Sequence, residues 1–198
     1  MTRFYISAGH SIYDKGYSCG CGLASESEWN IKIRDEIKKL LPNAEFPPDT
    51  LSLRDTIDWI NFSAKPDDFS LEIHLNANKD KSIRGVEAYY SDTPRYAEIF
   101  ARNVSLELGI PNRGPKHDSF SYVGSLGFLR QLKCPSVIIE CLYMTNEQDK
   151  LVLLNGGPEK IARGIKRSLD TLFAAEQLNK MSALLETLKK QLLKLLKL

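Results

Sequence analysis

Ser70-Leu71-Glu72-Ile73-His74-Leu75-Asn76-Ala77-Asn78 is the stretch whose reading decides the fold. It opens as an apolar run of the kind a buried strand carries, then turns polar at a histidine and two asparagines. In an open α/β sheet, ligands bind beyond the carboxyl ends of the strands. A histidine at such an end is placed for chemistry, and the chain has only three histidines. A second one, His10, closes the run Phe4-Tyr5-Ile6-Ser7-Ala8-Gly9 in the same way. The rest of the chain reads as the scaffold that brings these two strand ends together.

Outward from there, Trp29, Ile33, Ile37 and Leu40 recur at helical spacing between Glu26 and Leu41, and Pro42 stops the helix. Thr50 or Ser52 caps a second helix running to Phe62. Gly85 to Tyr90 alternates as a strand, and a helix follows from Pro94 to Leu108. Gly109 to Gly127, rich in Gly, Pro, Ser and Asp, is expected to be a long surface loop. Pro135-Ser136-Val137-Ile138-Ile139-Glu140 is a short apolar strand of the sort covered on both faces. Helices are expected from Asn146 and again from Pro158. Strands alternating with helices give an α/β domain over residues 1–175, with a mainly parallel, twisted sheet flanked by helices.

Residues 176–198 differ in character. Leu178, Met181, Leu185, Leu188, Leu192 and Leu195 follow a heptad seam, so this is expected to be an amphipathic C-terminal helix. Its apolar stripe has three destinations: its own domain, other copies of the chain, or an anionic membrane surface. Five lysines against Glu176 and Glu186 give this segment +3, which leaves about −1 for the remainder of a chain whose net charge is +2. No general basic surface exists to hold a nucleic acid.

An apolar content of 42% in 198 residues supports a sizeable core. Met1-Thr2-Arg3 leads straight into a strand, with no secretory pattern, and no apolar run approaches a bilayer span. Cys19, Cys21, Cys134 and Cys141 are too few for a disulfide scaffold. Cys19-Gly20-Cys21 resembles half a zinc site, but no second close pair completes it, so free thiols are expected.

Two histidines at matching strand ends suggest a catalytic metal, which needs a third ligand and an open position. Glu26, Glu28 and Glu72 are candidates for that ligand, and spacing alone does not choose among them. Glu140 ends a buried strand, where an unpaired charge is expensive. It calls for a cation, a metal-bound water or hydrogen-bond donors, and a general base beside a metal meets that need.

The order Gly9-His10, Glu26, Ile73-His74-Leu75-Asn76 and Pro135 to Glu140 resembles the zinc-dependent N-acetylmuramoyl-L-alanine amidases of the amidase-3 type. Arg54, Asn61, Gly85-Val86-Glu87, Asn112-Arg113-Gly114, Asn146 and Asp149 support the resemblance, which covers about Arg3 to Leu172. It implies one zinc ion held by His10, Glu26 and His74, with Glu140 as the catalytic glutamate. The implied reaction is hydrolysis of the amide between N-acetylmuramic acid and L-alanine in peptidoglycan. Small size and the missing secretory pattern point to a phage endolysin, expected to stay in the cytoplasm of the producing cell until released to the wall. Glu72 departs from the family's usual serine; with Asn76 and His117 it is a candidate for orienting a ligand or touching substrate. A zinc peptidase cutting the stem peptide and a non-catalytic wall-binding module are the alternatives.

Overall fold

In the strand β2 (Phe69–Asn76), Leu71, Ile73 and Leu75 are fully or almost fully buried in the main core. Side chains alternate across a strand, so Ser70, Glu72, His74 and Asn76 face the other side of the sheet. The structure, a computed structural model, describes residues 2–18 and 24–195. Around β2 stand β1 (Phe4–Ala8), β3 (Val86–Tyr90), β4 (Asn112–His117) and β5 (Ser136–Tyr143), in the order β1-β2-β5-β3-β4. The β1/β2, β2/β5 and β3/β4 pairs are parallel, and only β3/β5 is antiparallel.

Helices α1 (Glu26–Leu40), α3 (Pro94–Leu108) and the first half of α6 (Gly157–Leu195) cover one face, burying Ile33, Ile37, Phe100, Val104, Ile161 and Ile165 against the sheet. Gly164 makes the α3–α6 contact possible, because a Cβ there would lie 2.7 Å from the Val104 Cα. The opposite face is covered only in part. Helices α2 (Leu53–Ser63) and α4 (Gly127–Gln131) pack Ile57, Ile60, Phe128 and Leu129 on Tyr5 and Ile138. The carboxyl ends of β1, β2 and β5 are left open on that side. Ser52, rather than Thr50, caps α2, accepting a hydrogen bond from the Asp55 amide. Asn146 caps α5 (Glu147–Leu154), and buried Asp149 accepts from the amides of Gly85 and Tyr143, tying β3 to β5.

One expectation changes, and one of the three destinations left open for α6 falls away. The segment Gly109 to Gly127 is not a continuous loop: Asn112–His117 forms β4, and a 3-10 turn spans Asp118–Phe120. Its glycine and proline disguise it, but β4 is an edge strand, where a missing amide donor is tolerated. Between residues 181 and 192 the stripe of α6 does not fold back on its own domain. The helix runs unbroken past residue 175 for 39 residues in all, about 58 Å at 1.5 Å per residue, and every residue from 181 to 192 is exposed. Cys134 and Cys141 are buried free thiols, whereas Cys19 and Cys21 lie outside the described residues.

Candidate active site

The turn after β1 places His10 in the left-handed region, at φ 63°, an arrangement unusual for a residue with a side chain and one that clusters at functional sites. Its Nδ1 lies 2.9 Å from Asp14 Oδ2 and its Nε2 lies 3.4 Å from Glu26 Oε2. Gly16 lets the loop close over this pair: a Cβ there would sit 2.6 Å from the His10 ring and 2.7 Å from Glu26 Oε2.

Glu26 is the first residue of α1, where the helix dipole favours an anion. It reaches over the strand ends and accepts hydrogen bonds from the Tyr17 and Leu75 amides at 3.0 and 3.2 Å. Its Oε1 lies 3.0 Å from His74 Nδ1. Burial alone would raise the Glu26 carboxyl pKa; the hydrogen bonds with His10 and His74 outweigh it and hold the group well below the usual carboxylate range. Burial likewise works against charge on His74, yet Glu26 and Glu72 win and raise its pKa well above the ordinary imidazole value. One donor atom each from His10, Glu26 and His74 lies within 4.8 Å of the other two. Two imidazoles and a carboxylate that accepts little competition from protons form a group able to hold a metal ion.

Glu140 pairs in register with His74 across β2 and β5. Its Oε2 is buried with no hydrogen-bond partner. Burial pushes its pKa up to about 7, with Glu26 and Glu87 adding to the rise and His74 opposing it. An orphaned carboxylate oxygen beside a two-histidine, one-glutamate group fits a metal centre with a proton-transfer residue next to it.

His10, His74 and Glu140 form the floor of a cleft of about 630 Å³, with Ser7, Glu72 and Asn76 beside them, and buried Glu26 is held against both histidines without lining it. Leu51 to Leu53 and Thr56 make one wall, and Tyr122, Val123, Leu126 and Phe128 another. The structure therefore brings together His10, Glu26, His74, Glu140, Glu72 and Asn76. Glu72 Oε2 lies 3.3 Å from His74 Nε2, on the far side of the ring from Glu26. Asn76 turns instead to Glu87, donating to its Oε1 at 3.1 Å. His117 is not brought in: its ring packs on Tyr90 and accepts from Ser119, and it does not line the cleft.

The sequence reading gave two participants no role in the site. Asp14 touches His10 from four residues on, a spacing visible in the sequence but buried in a polar loop. Glu87 anchors a cluster with Arg113 Nε at 2.8 Å and Lys116 Nζ at 3.0 Å, and no local pattern announces those partners.

Comparison with known proteins gives a consistent picture. A family profile described as N-acetylmuramoyl-L-alanine amidase matches residues 5–171. The amidase LytC of Bacillus subtilis is 32% identical over 156 residues, covering 73% of this chain. The chain spans only 30% of LytC. The solved catalytic domain of CwlV, an N-acetylmuramoyl-L-alanine amidase from Bacillus (Paenibacillus) polymyxa, superposes with a TM-score of 0.75 at 22% identity, covering 88% of this chain and 99% of that one. The catalytic domain of the CD27L endolysin, which targets Clostridia difficile, gives 0.66 at 21%, covering 86% and 98%. A profile match spanning nearly the whole α/β domain decides the question: the chain belongs to the N-acetylmuramoyl-L-alanine amidase family.

Proposed function

We propose that the protein is a zinc-dependent amidase that hydrolyses the bond between N-acetylmuramic acid and L-alanine in peptidoglycan, and that this activity lyses cell walls. The observation that carries the reading is the unpartnered Glu140 oxygen beside the His10–Glu26–His74 group, with His10, His74 and Glu140 on the floor of one cleft. His10, Glu26 and His74 would hold the zinc ion, which would supply polarisation of the scissile carbonyl and lower the pKa of a water to about 7. Glu140 takes a proton from the attacking water and delivers it to the leaving alanine nitrogen, a role that suits a carboxylate whose pKa stands near neutrality. Asp14 orients the His10 ring and Glu72 the His74 ring, each through the nitrogen facing away from Glu26 or nearest its own carboxylate. Leu51, Leu53, Tyr122, Val123, Leu126 and Phe128 give the cleft walls an apolar lining for substrate to pack against.

Digestion of purified peptidoglycan tests the bond cleaved. New alanine amino groups without new reducing ends are expected. Cleavage inside the stem peptide, seen by mass spectrometry, would replace this reading with a peptidase. A chelator should abolish activity and added zinc restore it, and loss of turbidity in treated cells tests the lytic role.

A further inference from the structure

The second half of α6 takes no part in the cleft, yet it carries a run of exposed large apolar side chains along one helix. Met181, Leu184, Leu185, Leu188 and Leu192 are 53% to 60% exposed. At 3.6 residues per turn they fall within an arc of about 100°. Contiguous apolar surface of this kind marks an interaction site, and an isolated helix without tertiary packing is marginal in water.

The choice of occupant rests on charge. If two copies paired along the heptad seam, the flanking positions would be Gln177, Ser182, Leu184, Lys189 and Gln191. None offers a carboxylate to a partner's lysine, so nothing there sets a partner or an orientation by ion pairing. The two acids of the segment, Glu176 and Glu186, both fall outside the flanks, and Glu186 pairs with Lys189 of its own helix at 2.9 Å. An anionic surface suits the same residues better. Lys189 borders the apolar arc, where its aliphatic stem can lie along the leucines while the ammonium reaches out. Lys190 projects from the polar side, and the segment 176–198 carries +3 in sequence. No described helix is long and apolar enough to cross a membrane, so the fitting arrangement is one parallel to the surface.

We propose that the distal half of α6 docks on an anionic phospholipid bilayer, with Met181, Leu184, Leu185, Leu188 and Leu192 facing the acyl chains and the lysines facing the headgroups. The docking is independent of the reaction in the cleft.

Flotation of the full chain with vesicles tests it, using phosphatidylcholine alone and phosphatidylcholine mixed with phosphatidylglycerol. Binding to the mixed vesicles, weakened by salt and nearly absent on the neutral ones, is expected. The double variant L185S/L188S should lose binding, and K189Q/K190Q should weaken it about 25-fold, at about fivefold per lysine. Both variants should keep the melting temperature of the catalytic domain, since these residues touch none of its core. Equal binding to both vesicle types, or none to either, overturns the proposal. So does a concentration-dependent dimer that L185S/L188S dissolves, because the stripe would then belong to a second copy.

Discussion

Glu87 and Glu140 stand directly opposite each other on β3 and β5, and the two carboxylates have been given opposite surroundings. Glu87 is saturated: Arg113, Lys116, Asn76 and the Tyr89 hydroxyl all reach it. Burial works against its charge, but Arg113 and Lys116 prevail and lower its pKa. Glu140 has a buried oxygen with no partner, and its pKa stands at about 7. Like charges facing each other across two strands repel, and the fold resolves this by keeping one fixed as an anion and the other able to take up a proton. Pairs of titratable groups pushed apart in this way are how acid and base roles are divided in a site. Glu87 is the anchor of the edge strand β4, and Glu140 is the residue fit to move a proton.

The largest expected effect comes from removing that capacity. Glu140→Gln should lower kcat on peptidoglycan by about 10²- to 10⁴-fold, the usual contribution of a general acid–base group, while metal content measured by atomic absorption stays unchanged. Activity within a few-fold of the parent would take Glu140 out of the reaction and end its contrast with Glu87.

The second prediction concerns pH. The folded metal-free protein holds the Glu140 proton more tightly than the unfolded chain does, because its pKa is raised from 4.5 to about 7. Stability therefore falls as pH rises through that window, wherever the folded state binds the extra proton. The full penalty is about 3 kcal/mol above the folded pKa. Glu140→Gln should be no more stable than the parent at the acid end of the window and about 3 kcal/mol more stable above its upper end, by urea unfolding in a chelator. A cation bound at the histidines favours the charged form, so loading the site should shrink this difference. An equal gap at both ends would mean that Glu140 is not held protonated.

Glu87→Gln attacks the other member. It leaves Arg113 and Lys116 facing a neutral amide, and both are partly exposed, so the cost is about 2 kcal/mol, below that of a fully buried pair. Removal of the neighbouring charge should also draw the Glu140 pKa down, followed by carboxyl carbon chemical shifts. A Glu140 titration unmoved by this change would show that the two carboxylates do not sense each other.

The legibility of the site follows the same divide. β2 was readable because Leu71, Ile73 and Leu75 alternate with Ser70, Glu72, His74 and Asn76, a pattern that names both the core face and the chemical face. Glu26 opens α1, whereas β2 and β5 run on past His74 and Glu140 to Asn76 and Tyr143, beyond the ends that the apolar runs suggested. Resemblance to a family, rather than spacing, selected Glu26 over Glu28. The Glu87 cluster was not readable, since Arg113 and Lys116 lie on a strand whose Gly114 and Pro115 read as a turn. The walls from Ser121 to Phe128 escaped as well, because a short helix and a bend leave no periodic trace. In α6 the seam was plain in the sequence, but whether it lies covered is a property of tertiary packing, and only the fold shows residues 181 to 192 standing clear.

Glu72 sharpens the comparison with a third carboxylate, and carries the smallest expected effect. It has neither the cations of Glu87 nor the isolation of Glu140; its neighbour is the His74 Nε2 at 3.3 Å. A carboxylate behind a ligating imidazole fixes the ring's tautomer and orientation and raises its basicity. Glu72→Ser, too short to reach the ring, should weaken zinc affinity about tenfold, the low end of what losing such a partner costs, as read by competition with a chelating dye. Glu72→Gln keeps an acceptor at the same reach and should recover part of the loss. If both variants bind zinc as the parent does, Glu72 is a filler of the strand face, and Glu26 alone positions His74.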